Sequence, residues 1–170
     1  MATNKTTRIC VFSMSMRRKE KEITEKVIKE EILRQTEVGR LGLVIDGAPY
    51  IVPMNFCYVK DKIYLHSHKD GKKMQEIRNS PYVCFEVDEG DIIKGDNPCD
   101  YSWMYTSVIA YGKAIIVEDD AERLMGLKLI SDKYSPGKGK MITEELMGKF
   151  KHLWIVKIDI DEMTGKKSPV

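Results

Sequence analysis

No apolar run in this chain approaches the roughly 18 residues a bilayer-spanning helix needs. The early run Ile9–Met14 is also too short for a signal-peptide core. Cysteine is sparse: Cys10, Cys57, Cys84 and Cys99 form no CxxC pair. His66 and His68 are near neighbours, but no cysteine lies close to them and His152 is remote, so no metal-ligand spacing emerges. A GxSxG elbow, a defensible serine–histidine–carboxylate set and a pair of facing carboxylates are all missing, which removes the common hydrolytic designs. The formal net charge is only +2, and no basic stripe carries interleaved aromatics, so nothing argues for nucleic acid. No internal repeat is present. The expected setting is a reducing cytoplasm, without membrane or nucleic-acid partners.

What is present fits a single packed domain. The 170 residues are 42% apolar and 32% charged, enough to bury a real core. Residues 1–15 carry little periodicity and read as an N-terminal extension, either a disordered arm or, through RICVFSM, an added edge strand. Residues 16–170 read as one domain. Thr24 is placed to cap a helix with Glu25 in its first turn. Val27, Ile28, Ile32 and Leu33 share its apolar face, and the helix should end near Glu37 to Gly39. Leu41–Ile45 and Tyr50–Val59 read as strands joined by an Asp46-Gly47 hairpin turn. Pro53 inside the second strand argues for an edge or a bulge, and a bulge would free backbone groups for a ligand. Asn55 is equally a candidate for a local side chain to backbone bond.

Tyr82–Val87 is strongly β-prone, with Val83 and Phe85 on one face, and Asp88–Asp100 reads as a long polar loop. Tyr101–Glu118 is β-rich, with Gly112 marking a bulge or a close backbone approach. Asp119 or Asp120 caps a helix through Tyr134 with Leu124, Leu127 and Ile130 inward. Thr143 starts a short helix with Leu146, Met147 and Phe150 as its apolar face. In the strand Leu153–Ile160 both faces are largely apolar, so the pattern does not say which faces the core. Cys57 and Cys84 fall in strand patterns, as small buried residues. About six strands with helices before, between and after them predict a mainly antiparallel α+β domain.

The stretch Lys62–Arg78, KIYLHSHKDGKKMQEIR, carries the chemistry. The strand Ile63–Leu65 stops at His66, Ser67 and His68. Asp70 and Gly71 make the turn, and Lys72 and Lys73 open a helix whose apolar face is Met74 and Ile77. A helix start offers free N–H groups and a positive dipole end; a hydroxyl and two lysines there make a candidate phosphate site. The glycine spacing is not that of a Walker loop. A solvated basic turn is the competing reading of the same residues.

The stretch resembles the phosphate-binding segment of the split-barrel flavoproteins, the superfamily of pyridoxamine 5′-phosphate oxidase. His66 and Ser67 stand where that segment has an aromatic and a hydroxyl residue, Gly71 where it has a small one, and Lys72 and Lys73 where it has a cationic pair. The closer likeness is to the Nim-type nitroimidazole-resistance proteins. It rests on MRRKEKEI (Met16–Ile23), PYIVPMNF (Pro49–Phe56), the HS…GKK segment, SVxxxG (Ser107–Gly112) and TGKKS (Thr164–Ser168), in that order over residues 16–167.

The resemblance implies a six-stranded split β-barrel with flanking helices that dimerises with two FMN molecules at the interface. Ser67, Lys72 and Lys73 would hold the phosphate. Val52, Pro53, Met54 and Asn55 would lie along the ring, and Ser107 with Val108 would reach the partner subunit's cofactor. His66 is a further cofactor contact and the candidate proton donor, with phosphate contact or packing under the ring as its simpler roles. The implied activity is oxidoreduction of a small molecule, with nitro compounds as one substrate class and NAD(P)H as one electron donor. Pyridoxamine phosphate oxidation is not expected, because KIDIDEMTGKK lacks the arginine- and histidine-containing signature it needs. A flavin sensor or carrier without turnover, and a barrel for another ligand such as haem, are the alternatives.

Overall fold

The computed structural model describes residues 16–168; the expected extension at residues 1–15 lies outside them. Six strands form a closed antiparallel ring in the order β1-β2-β3-β6-β5-β4. They are β1 (Val38–Ile45), β2 (Ala48–Val59), β3 (Lys62–His68), β4 (Tyr82–Ile93), β5 (Ser102–Ile116) and β6 (Leu153–Lys167). Four helices accompany them: α1 (Lys26–Gln35), α2 (Lys72–Asn79), α3 (Asp120–Tyr134) and α4 (Glu144–Lys149). Turn chemistry sets the first two hairpins. Asp46 and Gly47 have φ of 51° and 79°, the left-handed pair that matches strand twist. Lys60 and Asp61 adopt the same geometry without glycine, at 47° and 61°. There the Asp61 N–H donates to the Tyr58 hydroxyl and its carboxylate pairs with Lys26 at 2.7 Å, holding a backbone that L-residues rarely adopt.

Alternation sorts the side chains. Leu41, Phe56, Leu65, Phe85, Val108 and Val156 point into the ring and are fully buried. The Phe56 and Phe85 rings meet edge to face at 4.8 Å. Leu33 of α1 and Met74 and Ile77 of α2 join this interior core. A second, smaller core lies outside the ring, where Ile130 of α3 covers Cys57, Tyr64 and Ile155. The two apolar faces of β6 are thereby explained: Val156 and Ile158 face the interior, while Ile155 faces α3. The outward side chains Val38, Val44, Ile51 and Tyr82 on β1, β2 and β4 stay exposed.

Pro53 lies where β2 pairs with β1 alone, since β2 meets β3 only from Phe56 to Val59. The edge reading holds, and the register shows no bulge there. At Gly112 the β5–β6 register shifts, and a Cβ would stand 2.0 Å from the Asp159 carbonyl oxygen, so the close approach is real. Asp119 and Thr143 cap α3 and α4, accepting from the Glu122 and Leu146 N–H groups.

Several boundaries differ from expectation. The Thr24 hydroxyl donates to the Glu25 carboxylate, and Glu25 itself occupies the cap position of α1 without a side-chain cap bond. The helix ends at Gln35 because Val38 already pairs with Asn55. Val27 is 66% exposed and Ile28 also faces solvent, leaving Ile32 and Leu33 as the packed residues. The polar segment after Val87 is strand through Ile93, because it finds a partner in Ser102–Ser107; only residues 94–101 connect the two. His66, Ser67 and His68 belong to β3, each paired with β6, and β6 runs on through Lys167 by pairing with β5. Phe150 is exposed.

Replacing Gly112 by alanine forces the β6 backbone away at the bulge. The expected loss is about 1–3 kcal/mol of unfolding free energy, the cost of overpacking a closed site. A lower urea midpoint at unchanged slope is the readout.

Candidate functional site

β3 delivers its last residues to two different faces. Ile63, Leu65 and Ser67 point inward, and Ser67 is buried with its hydroxyl donating to the His68 carbonyl at 3.2 Å. Tyr64, His66 and His68 point outward, His66 half-buried and His68 exposed. The chain then turns through Gly71, which occupies the cap position of α2 with no side-chain cap bond, so the first N–H groups of that helix are not capped by a side chain. A Cβ on Gly71 would stand 3.8 Å from Lys73 Nζ and 3.9 Å from Ser67 Oγ. The His68 carbonyl oxygen is nearer, at 3.4 Å, so Ser67 Oγ and Lys73 Nζ converge beside Gly71 at a positive helix end with one carbonyl among them. Among the described residues, neither Lys72 nor Lys73 has a carboxylate within ion-pair distance. Lys72 is exposed and Lys73 half-buried.

The β2 segment splits in the same way. Val52 and Met54 pack into the interior core, while Pro53 and Asn55 lie outside and exposed. The β2–β3 ladder stops at Phe56 and Leu65; continuing its register would set Asn55 opposite His66. The strands part there instead. The Phe56 N–H donates to the Tyr134 hydroxyl at 2.8 Å, closing the fork from the α3 side. Among the described residues, Ala48–Asn55 thus has one bonded edge, toward β1, and one open edge. Among the described residues, the exposed Asn55 side chain makes no local side chain to backbone bond.

Ser107 and Val108 do not join this group. Val108 is fully buried in the interior core, which leaves it no outward side chain. Ser107 sits on the outer face between Asp88 and Lys166. Asn55 is on that outer face too, but β1 and β4 intervene, a separation of roughly 14 Å at ordinary strand spacing. Arg40 ties the intervening strands, donating to Glu86 and Asp88. Burial, then the charge of Asp88, pushes the Glu86 carboxyl upward against the pull of Arg40.

His66 has its imidazole pKa lowered, mainly by burial and secondly by the Lys73 charge. The folded protein thus binds fewer protons here than the unfolded chain, so this residue's contribution to stability is lost as pH falls through the usual imidazole range. Burial pushes the Cys57 thiol up to about 12, which makes it inert as a nucleophile.

Two features gave no sequence signal. Lys133 projects from α3 over the Phe56 ring at 3.5 Å and donates to the Thr36 carbonyl at 2.7 Å; burial lowers its pKa to about 8. Arg123 stacks over Trp154 at 4.9 Å, beside a hollow of about 560 Å³ between α3, α4 and the start of β6. Trp154 is the β6 partner of Ser67. Neither pair has a motif, because each forms only when α3 folds onto the sheet.

The family model described as pyridoxamine 5′-phosphate oxidase matches residues 29–167. A candidate 5-nitroimidazole antibiotic resistance protein from Bacteroides thetaiotaomicron is similar at 28% identity over 85% of each chain, with a TM-score of 0.70. The flavocytochrome Anf3 from Azotobacter vinelandii is 18% identical, with 92% of this chain and 73% of that one covered and a TM-score of 0.80. A FAD and haem binding protein from Mycobacterium smegmatis is 20% identical, over 88% of this chain and 74% of its own, with a TM-score of 0.76. At such identities the last two likenesses are likenesses of fold.

Replacing Lys73 by methionine should raise the His66 pKa, because one of the two causes of its depression is removed. Inorganic phosphate bound at Gly71 should raise it as well. Imidazole resonances followed by NMR across pH 4–8 check both; an unchanged titration would show that Lys73 does not face His66.

Proposed function

The chain belongs to the pyridoxamine 5′-phosphate oxidase family, and from that premise we propose that it is an FMN-dependent oxidoreductase of small molecules, working as a homodimer. The convergence of Ser67 and Lys73 beside Gly71, at the start of α2, carries this reading. It combines a hydroxyl, an ammonium and an uncapped helix start, with the second cation Lys72 alongside, which is the donor set a phosphate monoester needs. FMN is the smallest flavin nucleotide that places a phosphate there. The similar proteins from Azotobacter and Mycobacterium are a flavocytochrome and a FAD and haem binding protein, which supports a flavin here.

A bound flavin supplies two-electron transfer from a reduced nicotinamide nucleotide to a small acceptor, nitro compounds among them. Lys73 and Ser67 hold the phosphate and Lys72 adds charge. The open edge of Val52–Asn55 offers backbone groups, and the Asn55 amide two donors and an acceptor, to the polar rim of the ring. Val52 and Met54 contribute through the backbone, because their side chains are committed to the interior core. His66 would lie beside the ring; burial and then the Lys73 charge lower its pKa, which favours the neutral imidazole, with one N–H donor and one acceptor nitrogen to offer.

The outer face of β2, β1, β4 and β5, which no described helix covers, serves as the dimer surface, exposing Val38, Val44 and Ile51. Through it Ser107 reaches the partner's cofactor. The free cysteines Cys57, Cys84 and Cys99 suit a reducing cytoplasm. A second reading, flavin binding without turnover, is favoured by the neutral state of His66.

Protein purified from cells should be yellow, and heat should release FMN identifiable by chromatography. The Lys72→Ala, Lys73→Ala double variant should bind FMN at least about 10-fold more weakly, the loss of one to two charge-assisted bonds. Oxidation of NADPH in the presence of nitro and quinone acceptors separates enzyme from carrier. Colourless protein that takes up no FMN, or a Soret band in place of flavin bands, overturns the assignment.

A further inference from the structure

Beyond the last β6 pair at Thr106, β4 and β5 continue as a ribbon, pairing from Gly90–Tyr105 out to Ile93–Ser102, with Ser168 bonded to Tyr105 and Trp103 at its base. Its outer face is the continuation of the outer face that bears Ser107. By alternation Tyr105 and Trp103 follow Ser107 on that side, about 7 Å and about 14 Å further along the strand. Their rings are stacked at 4.9 Å with 22° between planes. Lys166, the β6 partner of Ser107, places its ammonium 5.8 Å from the Tyr105 ring centre. Gly90 on β4 makes the seat: a Cβ there would stand 2.6 Å from the Trp103 indole nitrogen. Trp103 is nevertheless 41% exposed. The result is a fixed aromatic platform, edged by a cation and open on one side.

We propose that this platform is the specificity wall of the partner protomer's site: Trp103 and Tyr105 of one chain stack against a flat, electron-poor aromatic ligand lying over the flavin of the other, with Lys166 drawing its anionic substituent. The inference rests on the FMN and dimer reading above, since it places the platform one and two same-face steps beyond Ser107. Electron-rich indole and phenol faces favour planar, electron-poor partners, and a preset stack orders no further side chain on binding. Saturated rings of the same size gain little from it.

The test uses the whole protein with FMN. In one chain, Trp154→Phe leaves Trp103 as the only tryptophan, and Lys72→Ala with Lys73→Ala removes its own phosphate grip. The other chain carries Trp103→Phe and Trp154→Phe and keeps its grip. Trp103 emission should be quenched by FMN only after the two are mixed and allowed to exchange partners. Separately, Trp103→Ala should raise the Kd for 4-nitrobenzoate, read from the absorbance of bound flavin, roughly 3- to 10-fold. It should leave FMN content and the Kd for cyclohexanecarboxylate unchanged. Bound FMN with no quenching in the mixture, or equal weakening for both acids, overturns the platform alone. Failure of the wild-type chain to bind FMN overturns the reading beneath it.

Discussion

The ring of strands closes through a narrow seam. β1 meets β4 only from Arg40–Gly42 to Cys84–Glu86, whereas β4 and β5 pair from Tyr82 to Ile93. Strands of such unequal need cannot all be satisfied inside one closed cylinder. Among the described residues, the first half of β2 is left with β1 as its one strand neighbour, and the far ends of β4 and β5 pair as strands with each other, with Ser168 bonded to Tyr105 and Trp103. An open backbone edge at one place and a free ribbon at another are consequences of the same short closure. The Arg40 guanidinium, reaching Glu86 and Asp88 across the seam, is what the sequence spends on holding it.

The interior is apolar and closed, so polar chemistry is confined to the rims. Ser67 is the exception that defines the site: a buried hydroxyl at the end of an inward row, met from outside by Lys73. His66, one residue earlier, is turned to the other face by the pleat. Adjacent residues thus serve opposite sides of the sheet. The same rule separates Asn55 from Met54 and Ser107 from Val108, so a contiguous motif delivers only alternate side chains to any one ligand.

Local signals were legible wherever a turn or cap had its own chemistry: Asp46-Gly47, the Asp119 and Thr143 caps, and the bulge at Gly112. The mainly antiparallel fold was legible too, and so was the contiguity of strand end, glycine and lysines that brings Ser67, Gly71 and Lys73 together. Illegible features depended on partners distant in sequence. Glu89–Ile93 is polar and glycine-containing, yet it is strand because Ser102–Thr106 lies beside it. The exposure of Val27 and Ile28 could not be read from a helical face that looks continuous. Lys133 lies unremarked in an amphipathic helix until α3 packs its ammonium over Phe56 and onto the last carbonyls of α1.

The ribbon also bears on how such a chain can change over time. Past Trp103, where Ser168 makes its last bond to the ribbon, matched pairs of residues can be gained or lost on both strands without altering which way any remaining side chain points. Removing an odd number would invert everything distal to the cut. Length variation among descendants of this gene should therefore accumulate in this hairpin, in even increments per strand, while the cylinder keeps its size.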